Sequence, residues 1–518
     1  MKLTNSAQMH EIDRYAIDKL RIPGTVLMAN AAEHIAATAI EHLSPSGCVA
    51  VFCGTGNNGG DGIGAAAFLI GEGVPVRLFL VGDETKLTPD SMEMLRRFIK
   101  LGGSLEPFSA TDALAKHLKN CDVIIDAIFG IGLSSNLSGD AFAAVNMINS
   151  SGASVISVDI PSGVLADTGA ILGAAVKARV TVTFSLAKPG HFIEPGCTYC
   201  GELRVRDIGI PRDLIDGAAS QVFAVMPQDF SLPRRRADSH KGNYGRLLIV
   251  AGSVGYTGAP ALSARAASRI GAGLVYLGVP DPIYDILAVK LDEEMPFPLP
   301  ADKHGRLAAN AAGEILRRAA ECDAVLIGPG LGISPEITEL VLSAIRILKV
   351  PIILDADGLN ALSGNLDILD KAACPVILTP HQGEFSRIGG NLSSGNRLRA
   401  AREFTLKTGC VLVLKGHRTI TALPDGTAYI NTTGCPAMAK GGTGDVLAGM
   451  IAAFVGQKFP IKEAVAAAVY LHGLAGDMCA AEYGEYSVTA SDIVSMLPKA
   501  AISIHAKTNK KNTGGYGR

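Results

Sequence analysis

Short apolar runs of β type alternate with helix-like stretches over most of this chain. In the first half the runs are Val49–Cys53, Val76–Val81, Val123–Ile128, Val155–Asp159 and Val180–Phe184. Apolar strands of this length, separated by helices, predict a parallel sheet covered on both faces. Ahead of them, residues 9–43 carry apolar positions at helical spacing interrupted at Pro23-Gly24, which predicts two helices. The rhythm lapses between Pro211 and Arg236 and resumes with Arg246–Val250, Leu274–Val279, Ala324–Ile327, Ile352–Leu354, Val376–Leu378 and Val411–Leu414. A final block, from Asp445 through the run Glu463–Ala481 to SVTASDIVSMLPKA, reads as helices. The fold class is therefore α/β in two domains, residues 1–215 and 236–506, joined by a linker over 216–235. The polar, Gly-rich residues 507–518 are expected to form a disordered tail.

A chain of 518 residues is too long for one ordinary core, and 48% hydrophobic content supports packed domains. Gly makes up 59 of those residues, about 11% against a usual ~7%, which favours ligand-hugging loops. A formal charge of −2 argues against nucleic acid or an anionic membrane as the partner, leaving a small molecule. Of ten cysteines only Cys197 and Cys200 stand at CxxC spacing; with no second ligand pair they read as ordinary thiols. Unpaired cysteines, and acids where a signal peptide would carry its apolar core, predict a cytoplasmic protein. His472 and Asp477 in the Glu463–Ala481 run predict a buried helix and not a membrane span.

In parallel sheets ligands bind beyond the carboxyl ends of the strands, and the polar signatures fall there. The first strand is followed by GTGNNGGDG, Gly54 to Gly62, a loop without a P-loop lysine that suits a pyrophosphate or ribose phosphate. Asn58, Asp126, Asp159 and Ser162 gather at adjacent strand ends. They could ligate a cation through oxygen, or one Asp could shuttle a proton; simple capping is the plainer alternative. In the second half the strand ends read GPGLG (328–332), DADGLN (355–360), TPHQGEF (379–385) and KGHRT (415–419). Late in the chain, GCPAMAKGGTGDVLAG (434–449) reads as an anion cradle. Gly441, Gly442 and Gly444 let backbone N–H groups converge at a helix N-terminus. Asp445 beside it would repel phosphate, so its use is to take a proton from a hydroxyl that meets a phosphoryl group; a Gly-rich turn with an Asp cap is the alternative. His381, between Pro380 and Gln382-Gly383-Glu384, is expected to contact substrate, while Arg234–Arg236 reads as a solvated or interdomain charge run.

GTGNNGGDG, DAIFGIGL, SVDIPSG with ADTG, and SLAKPG together resemble the NAD(P)HX epimerase domain, and the second half resembles the ADP/ATP-dependent NAD(P)HX dehydratase. Over about residues 5–505 the chain is similar to the bifunctional NAD(P)H-hydrate repair enzymes of bacteria. The resemblance implies a Rossmann-like parallel-sheet epimerase domain at 1–215 and a ribokinase-like α/β/α dehydratase domain at 236–506. It implies that Asn57, Asn58, Gly59, Gly60 and Asp61 hold the hydrated cofactor together with Gly130, Ile131, Gly132, Leu133, Ser134, Ser135 and Asn136. Asp159 would sit at the reacting nicotinamide, Lys188 in a matching AKPG turn, and Asn58, Asp126 and Ser162 would bind K⁺. In the second domain Gly330, His381 and Asp445 would contact the S hydrate. The adenine nucleotide, ADP in preference to ATP, would lie on Lys415, Gly416, His417, Arg418 and Thr419 and on Cys435–Gly444, including Gly441, Gly442, Thr443 and Gly444. Mg²⁺ would screen its phosphates. Cys435 stands where the family commonly has Asn, and Lys440 where it has a small hydroxyl residue.

These implications predict that NADHX and NADPHX are epimerised at C6 and that the S form is dehydrated at the expense of ADP, by a homo-oligomer such as a tetramer. The main rival is a ribokinase-like kinase for a vitamin or sugar alcohol fused to a ligand-binding domain. A passive nucleotide-binding regulator would leave Asp159 and Asp445 without a purpose, and a dehydrogenase would need a GxGxxG with an acid about 20 residues on, which neither half shows.

Overall fold

The computed structural model describes residues 1–512, with side chains through Ile504. It divides into two compact units, Lys2–Val222 and the chain from Phe223 onward together with Met1. The division falls inside the stretch expected as a linker. That stretch is not structureless, holding the strand Val222–Ala224 and a 3-10 turn over Pro227–Asp229.

The first unit opens with the short strand β1 (Lys2–Leu3) and helices Ser6–Asp18 and Gly24–Ile40. Its sheet is built from β2 (Val49–Cys53), β3 (Val76–Leu80), β4 (Leu105–Pro107), β5 (Val123–Ala127), β6 (Ser154–Val158), β7 (Val180–Phe184) and β8 (Glu202–Arg206). The order is β4-β3-β2-β5-β6-β7-β8 and the pairings are parallel. The order in which strands are added reverses at the β2/β5 pair, so the crevice of a doubly wound sheet opens beyond the ends of those strands. β2, β5 and β7 are buried along their whole length, because helices cover both faces.

In the second unit, after β9 (Val222–Ala224), come β10 (Arg246–Val250), β11 (Leu274–Pro280), β12 (Met295–Leu299), β13 (Ala324–Ile327), β14 (Ile352–Leu354), β15 (Val376–Leu378), β16 (Val411–Leu414), β17 (Ile420–Ala422) and β18 (Ala428–Ile430). The order from β12 runs β12-β11-β10-β13-β14-β15-β16-β17-β18, parallel as far as β16 and antiparallel at β17 and β18. Helix Thr443–Gly456 lies in the core beside helices Gly258–Arg269 and Ile461–Tyr483, as the Ala-rich sequence predicts. Ile461–Tyr483 is apolar and long enough to cross a membrane by length and composition alone, yet 67% of its apolar window is buried in the fold, as expected of a core helix. The α/β class holds for both units.

Several strands escape the periodicity. β4 and β17 have three residues each, and β12 carries Pro296 and Pro298, a composition confined to sheet edges, where β12 lies. Predicted strand ends also move inward by a residue, Asp159 leaving β6 with φ +63°. Helix Ala490–Asn512 runs through residues 507–512 of the expected tail, and residues 513–518 lie outside the described residues.

Candidate functional site

In the first unit the structure builds two side-chain clusters beyond the strand ends. The first centres on Asp126, the fourth residue of β5 and fully buried. One carboxylate oxygen accepts from Ser162 Oγ at 2.6 Å, the other from Ser157 Oγ at 2.8 Å and the Ser162 N–H at 2.9 Å. Burial pushes Asp126 up against the pull of these donors. Ser162 Oγ in turn accepts from the Phe129 N–H at 2.9 Å, which ties the Gly130 loop to the cluster. Asn58 faces that loop, its Oδ1 lying 2.8 Å from where a Cβ on Gly130 would stand, while its Nδ2 is buried without a hydrogen-bond partner. The amide oxygen and nitrogen are interchangeable by a flip, so this orphaned position can present oxygen. Asn58, Asp126 and Ser162 are thus oxygen donors with one unsatisfied buried direction, a set that fits a hard monovalent cation.

The second cluster surrounds Asp159. Its Oδ1 accepts from Lys188 Nζ at 2.5 Å and from Thr183 Oγ1 at 2.8 Å, and Lys188 Nζ also donates to Thr183 at 2.9 Å. Lys188 is 1% exposed, an unusual place for an ammonium, and the ion pair explains it. Burial raises the Asp159 carboxyl, but the Lys188 charge and its hydrogen bond outweigh burial and hold it below the usual carboxylate range. His191 accepts the Lys188 N–H on Nδ1 at 3.0 Å and sits 2.8 Å from the Asp159 carbonyl through Nε2, which must donate. The ring is neutral in this arrangement, consistent with burial and Lys188 pushing it down to about 4. Asp61 and Asp13 face the same charges. Burial, then Asp159 and Asp13, push Asp61 well above its ordinary value, and burial raises Asp13 to about 6. The Lys188 charge thus favours the charged form of Asp159, while burial and the neighbouring carboxyls favour the protonated form of Asp61.

Sequence reasoning placed Asn57–Asp61 in a loop; the structure puts them in the first turns of helix Asn57–Gly71, with only Gly54–Gly56 as the turn. The Gly-rich run makes this possible, since a Cβ on Gly59 would stand 1.9 Å from the Gly54 carbonyl. Gly59→Ala is therefore expected to destabilise this unit by about 1–3 kcal/mol, read by urea unfolding, because backbone must shift to admit the methyl. Asn57 accepts from Thr88 Oγ1 at 2.8 Å, and Ser134–Asn136 lie exposed in the Gly130–Asn136 loop, where Leu133 N–H donates back to Gly130. Asp13, Thr183 and His191 were missed. Asp13 lies in an amphipathic helix where an acid reads as solvated, and His191 stands three residues beyond the noted AKPG turn.

In the second unit, Gly442 (φ +92°) caps helix Thr443–Gly456 and only glycine reaches that conformation without strain. Thr443 Oγ1 closes the turn on the Lys440 carbonyl at 3.0 Å, and Asp445 follows in the first helical turn with its carbonyl accepting from Ser263. Burial, then Asp355, raise the Asp445 carboxyl to about 7; Asp357 and Glu384 add to this and Lys415 opposes it. His381 caps helix Gln382–Arg387. Its Nδ1 accepts from the Gly383 and Glu384 N–H groups, its own N–H donates to Glu384 Oε2 at 2.8 Å, and the side chain is 58% exposed. A bridge between His381 and Lys415 sets the two strand ends side by side. Gly330 (φ +67°) accepts from Ser253 Oγ through its carbonyl, and Asp357 accepts the N–H of Gly332 in the same turn. From its helix Asp445 therefore faces the strand-end groups Asp355, Asp357, Glu384 and Lys415, and His381 stands beside Lys415.

The turn Lys415–Thr419 holds itself by Thr419 Oγ1 to the Gly416 carbonyl, by Arg397 to the His417 carbonyl, and by Arg418 (φ +56°) to Thr432. Cys435 lies against the Gly476 carbonyl, and Asp477 accepts the Gly434 N–H. Lys440 Nζ donates to the Tyr486 carbonyl at 2.5 Å, so in this structure it serves the loop and not the Gly441–Gly444 cradle.

Residues 24–190 match the family of YjeF-related protein N-termini, and residues 247–499 match the NAD(P)H-hydrate dehydratase family. A bifunctional NAD(P)H-hydrate repair enzyme of Moorella thermoacetica is 39% identical over 533 residues that cover all of both chains. This chain belongs to the bifunctional NAD(P)H-hydrate repair enzyme family. Another member of the family, from Thermofilum pendens, is 40% identical over 96% of each chain. Among solved structures, the second unit is similar to the ADP/ATP-dependent NAD(P)H-hydrate dehydratase of Bacillus subtilis co-crystallised with ATP and Mg²⁺. That likeness has 34% identity over 53% of this chain and 95% of the other, with a TM-score of 0.46. Both clusters of the first unit lie within or beside the span matched by the N-terminal family, and the strand-end set of the second lies within the span matched by the dehydratase family.

Proposed function

We propose that this member of the repair family epimerises R and S NAD(P)HX in its first unit and dehydrates the S form in its second, with ADP as phosphoryl donor. The observation that carries the reading is Asp445, a carboxyl with its proton affinity raised to about 7 at the mouth of a Gly-built helix N-terminus. Such a group is matched to deprotonating an alcohol near neutral pH. Asp445 takes the proton of the C6 hydroxyl as that oxygen attacks the terminal phosphoryl of ADP, and the N–H groups of Gly441–Gly444 meet the charge on the transferring group. AMP leaves. The C6–O bond then breaks to release phosphate, pushed by the ring nitrogen's lone pair, and loss of a proton from C5 restores the C5–C6 double bond. Gly330 and His381 contact the hydrate, and Lys415–Thr419 the adenine nucleotide. Among the described residues no three His, Cys, Asp or Glu side chains group to hold a metal, so Mg²⁺ would be carried by the nucleotide phosphates and screen their charge.

In the first unit Asp159 carries the proton in the reversible exchange at C6. Asn57–Asp61 and Gly130–Asn136 bind the dinucleotide, and K⁺ on Asn58, Asp126 and Ser162 would organise the loops. All ten cysteines are free, which suits a cytoplasmic setting, and a homo-oligomer is the expected assembly.

An epimer mixture of NADHX, followed by the absorbance of the reduced nicotinamide, tests the whole reading. Full recovery dependent on ADP is expected; a stable phosphorylated product would instead mark a small-molecule kinase. The pH profile tests Asp445. Because the base works only when deprotonated, kcat/KM for the S hydrate is expected to fall about tenfold per pH unit below about 7. A flat profile down to pH 5 would exclude Asp445 as the base.

A further inference from the structure

Three neighbouring strands of the second unit deliver one polar side chain each to a single point. Asp355 follows β14, Thr379 follows β15 and Lys415 follows β16, and β14, β15 and β16 pair in parallel register. Asp355 and Thr379 are each 1% exposed. One oxygen of Asp355 accepts from Thr379 Oγ1 at 2.7 Å and from Lys415 Nζ at 2.7 Å. Beyond Asp355 the ammonium has, among the described residues, one more distant ion pair, with Glu384 at 3.9 Å, so N–H directions remain for a ligand. Those directions lie toward the cradle, because Lys415 Nζ stands 3.4 Å from where a Cβ on Gly444 would be. The backbone around Asp355 is over-determined. Ala356 is held at φ +48° and ψ −117°, and a Cβ on Gly328 would stand 1.8 Å from the Asp355 carbonyl. A non-glycine residue in that region is strained, and the surroundings must hold it there.

We propose that Asp355 is the positioning residue of the phosphoryl-transfer site: with Thr379 it holds the Lys415 ammonium over the first turn of helix Thr443–Gly456, where that ammonium meets the transferring phosphoryl group. The inference rests on Asp445 acting there as the base. It also accounts for the missing P-loop lysine, since a cation from β16 enters the cradle from the side. A free lysine would lose much rotamer entropy on meeting phosphate; one already anchored by a buried carboxylate has lost it before substrate arrives. Asp355 has a second effect through space. The charged and titratable groups facing Asp445 are Asp355, Asp357, Glu384 and Lys415; His472, on the neighbouring helix Ile461–Tyr483, is pushed down to about 4 by burial. Asp355 is the largest of the charges that raise Asp445. Removing it lowers the affinity of Asp445 for its proton, and a released Lys415 that turns toward Glu384 and Asp445 acts in the same direction.

Asp355→Asn, made in the full chain, is expected to lower kcat for S-NADHX with ADP about a hundredfold, with the KM for the hydrate within about threefold. The acidic limb of the pH profile should move to lower pH. Lys415→Met should lose as much, and the double variant no more than Lys415→Met alone, because both substitutions remove one arrangement. Epimerase activity in the same preparation reports an intact chain. Wild-type turnover in Lys415→Met overturns the proposal however well Asp355→Asn folds. So do multiplicative losses in the double variant, or a kcat loss in Asp355→Asn with the limb unmoved, which is a structural role only. Asp445→Asn is run beside them. Retained turnover there sinks the base assignment itself, whereas an Asp445-dependent limb that ignores Asp355 sinks only the positioning role.

Discussion

Asp445→Asn is expected to lower the rate of ADP-dependent dehydration by about 10²–10⁴-fold while ADP still binds, as measured by turnover of the S hydrate beside equilibrium titration with nucleotide. The amide keeps the shape of the carboxylate and the helix it stands on, and Gly442, Thr443 and Gly444 still offer their backbone N–H groups. What disappears is the proton acceptor. Stability should change in the opposite sense. A carboxyl whose folded-state value is raised to about 7 binds its proton more tightly folded than unfolded. Its charged form therefore opposes folding, increasingly as pH rises from the ordinary carboxylate value through about 7. Above that pH the Asn variant is relieved of a charge facing Asp355, Asp357 and Glu384 and should melt higher than the parent. Loss of activity with a gain in stability is the signature of a carboxylate kept for chemistry. An Asn variant that turns over normally, or that melts lower at pH 8, would contradict the assignment.

Asp159→Asn is expected to stop epimerisation, so that recovery from an epimer mixture ends at the S fraction and chromatography shows the R form untouched. Here the stability change has the other sign. Lys188 is 1% exposed and bonded through Nζ to Asp159 and Thr183 alone among the described residues, so the substitution leaves a buried ammonium without its counter-charge. Breaking such a pair costs about 3–5 kcal/mol, read as a lower urea midpoint. The backbone is not the cause, since Asn tolerates the left-handed conformation that Asp159 adopts at φ +63°. Adding Lys188→Met should restore much of the stability and none of the epimerase activity. Restored activity in that double variant would show that the pair is structural and that another group, such as Asp61, carries the proton.

These two carboxylates show what could be read from the chain and what could not. Asp159 is legible because it stands at a strand end and Asp445 because it follows a Gly-rich turn at a helix start, and strand periodicity and glycine are local properties. Their opposite character was not legible. Asp159 lies below the carboxylate range and Asp445 at about 7, although loss of water pushes both upward. The difference is one lysine, pressed against Asp159 in one unit and against Asp355 beside Asp445 in the other. Asn57–Asp61 was read as a loop because five consecutive polar and Gly residues carry no helical signal; packing against the sheet makes them helix.

By itself the sequence determined the class of the fold, the two units, the strands of the two sheets' interiors and the motifs that carry the family resemblance. Each of these follows from the spacing of apolar residues or from glycines within a few residues of one another. Tertiary structure decided which groups meet and in what charge state. Lys415 reaches Asp355 across 60 residues, Lys188 reaches Asp159 across 29, and Ser162 reaches Asp126 across 36. Proton affinity depends on burial and on charges a few ångströms away through space, and neither distance is written in the order of residues along the chain.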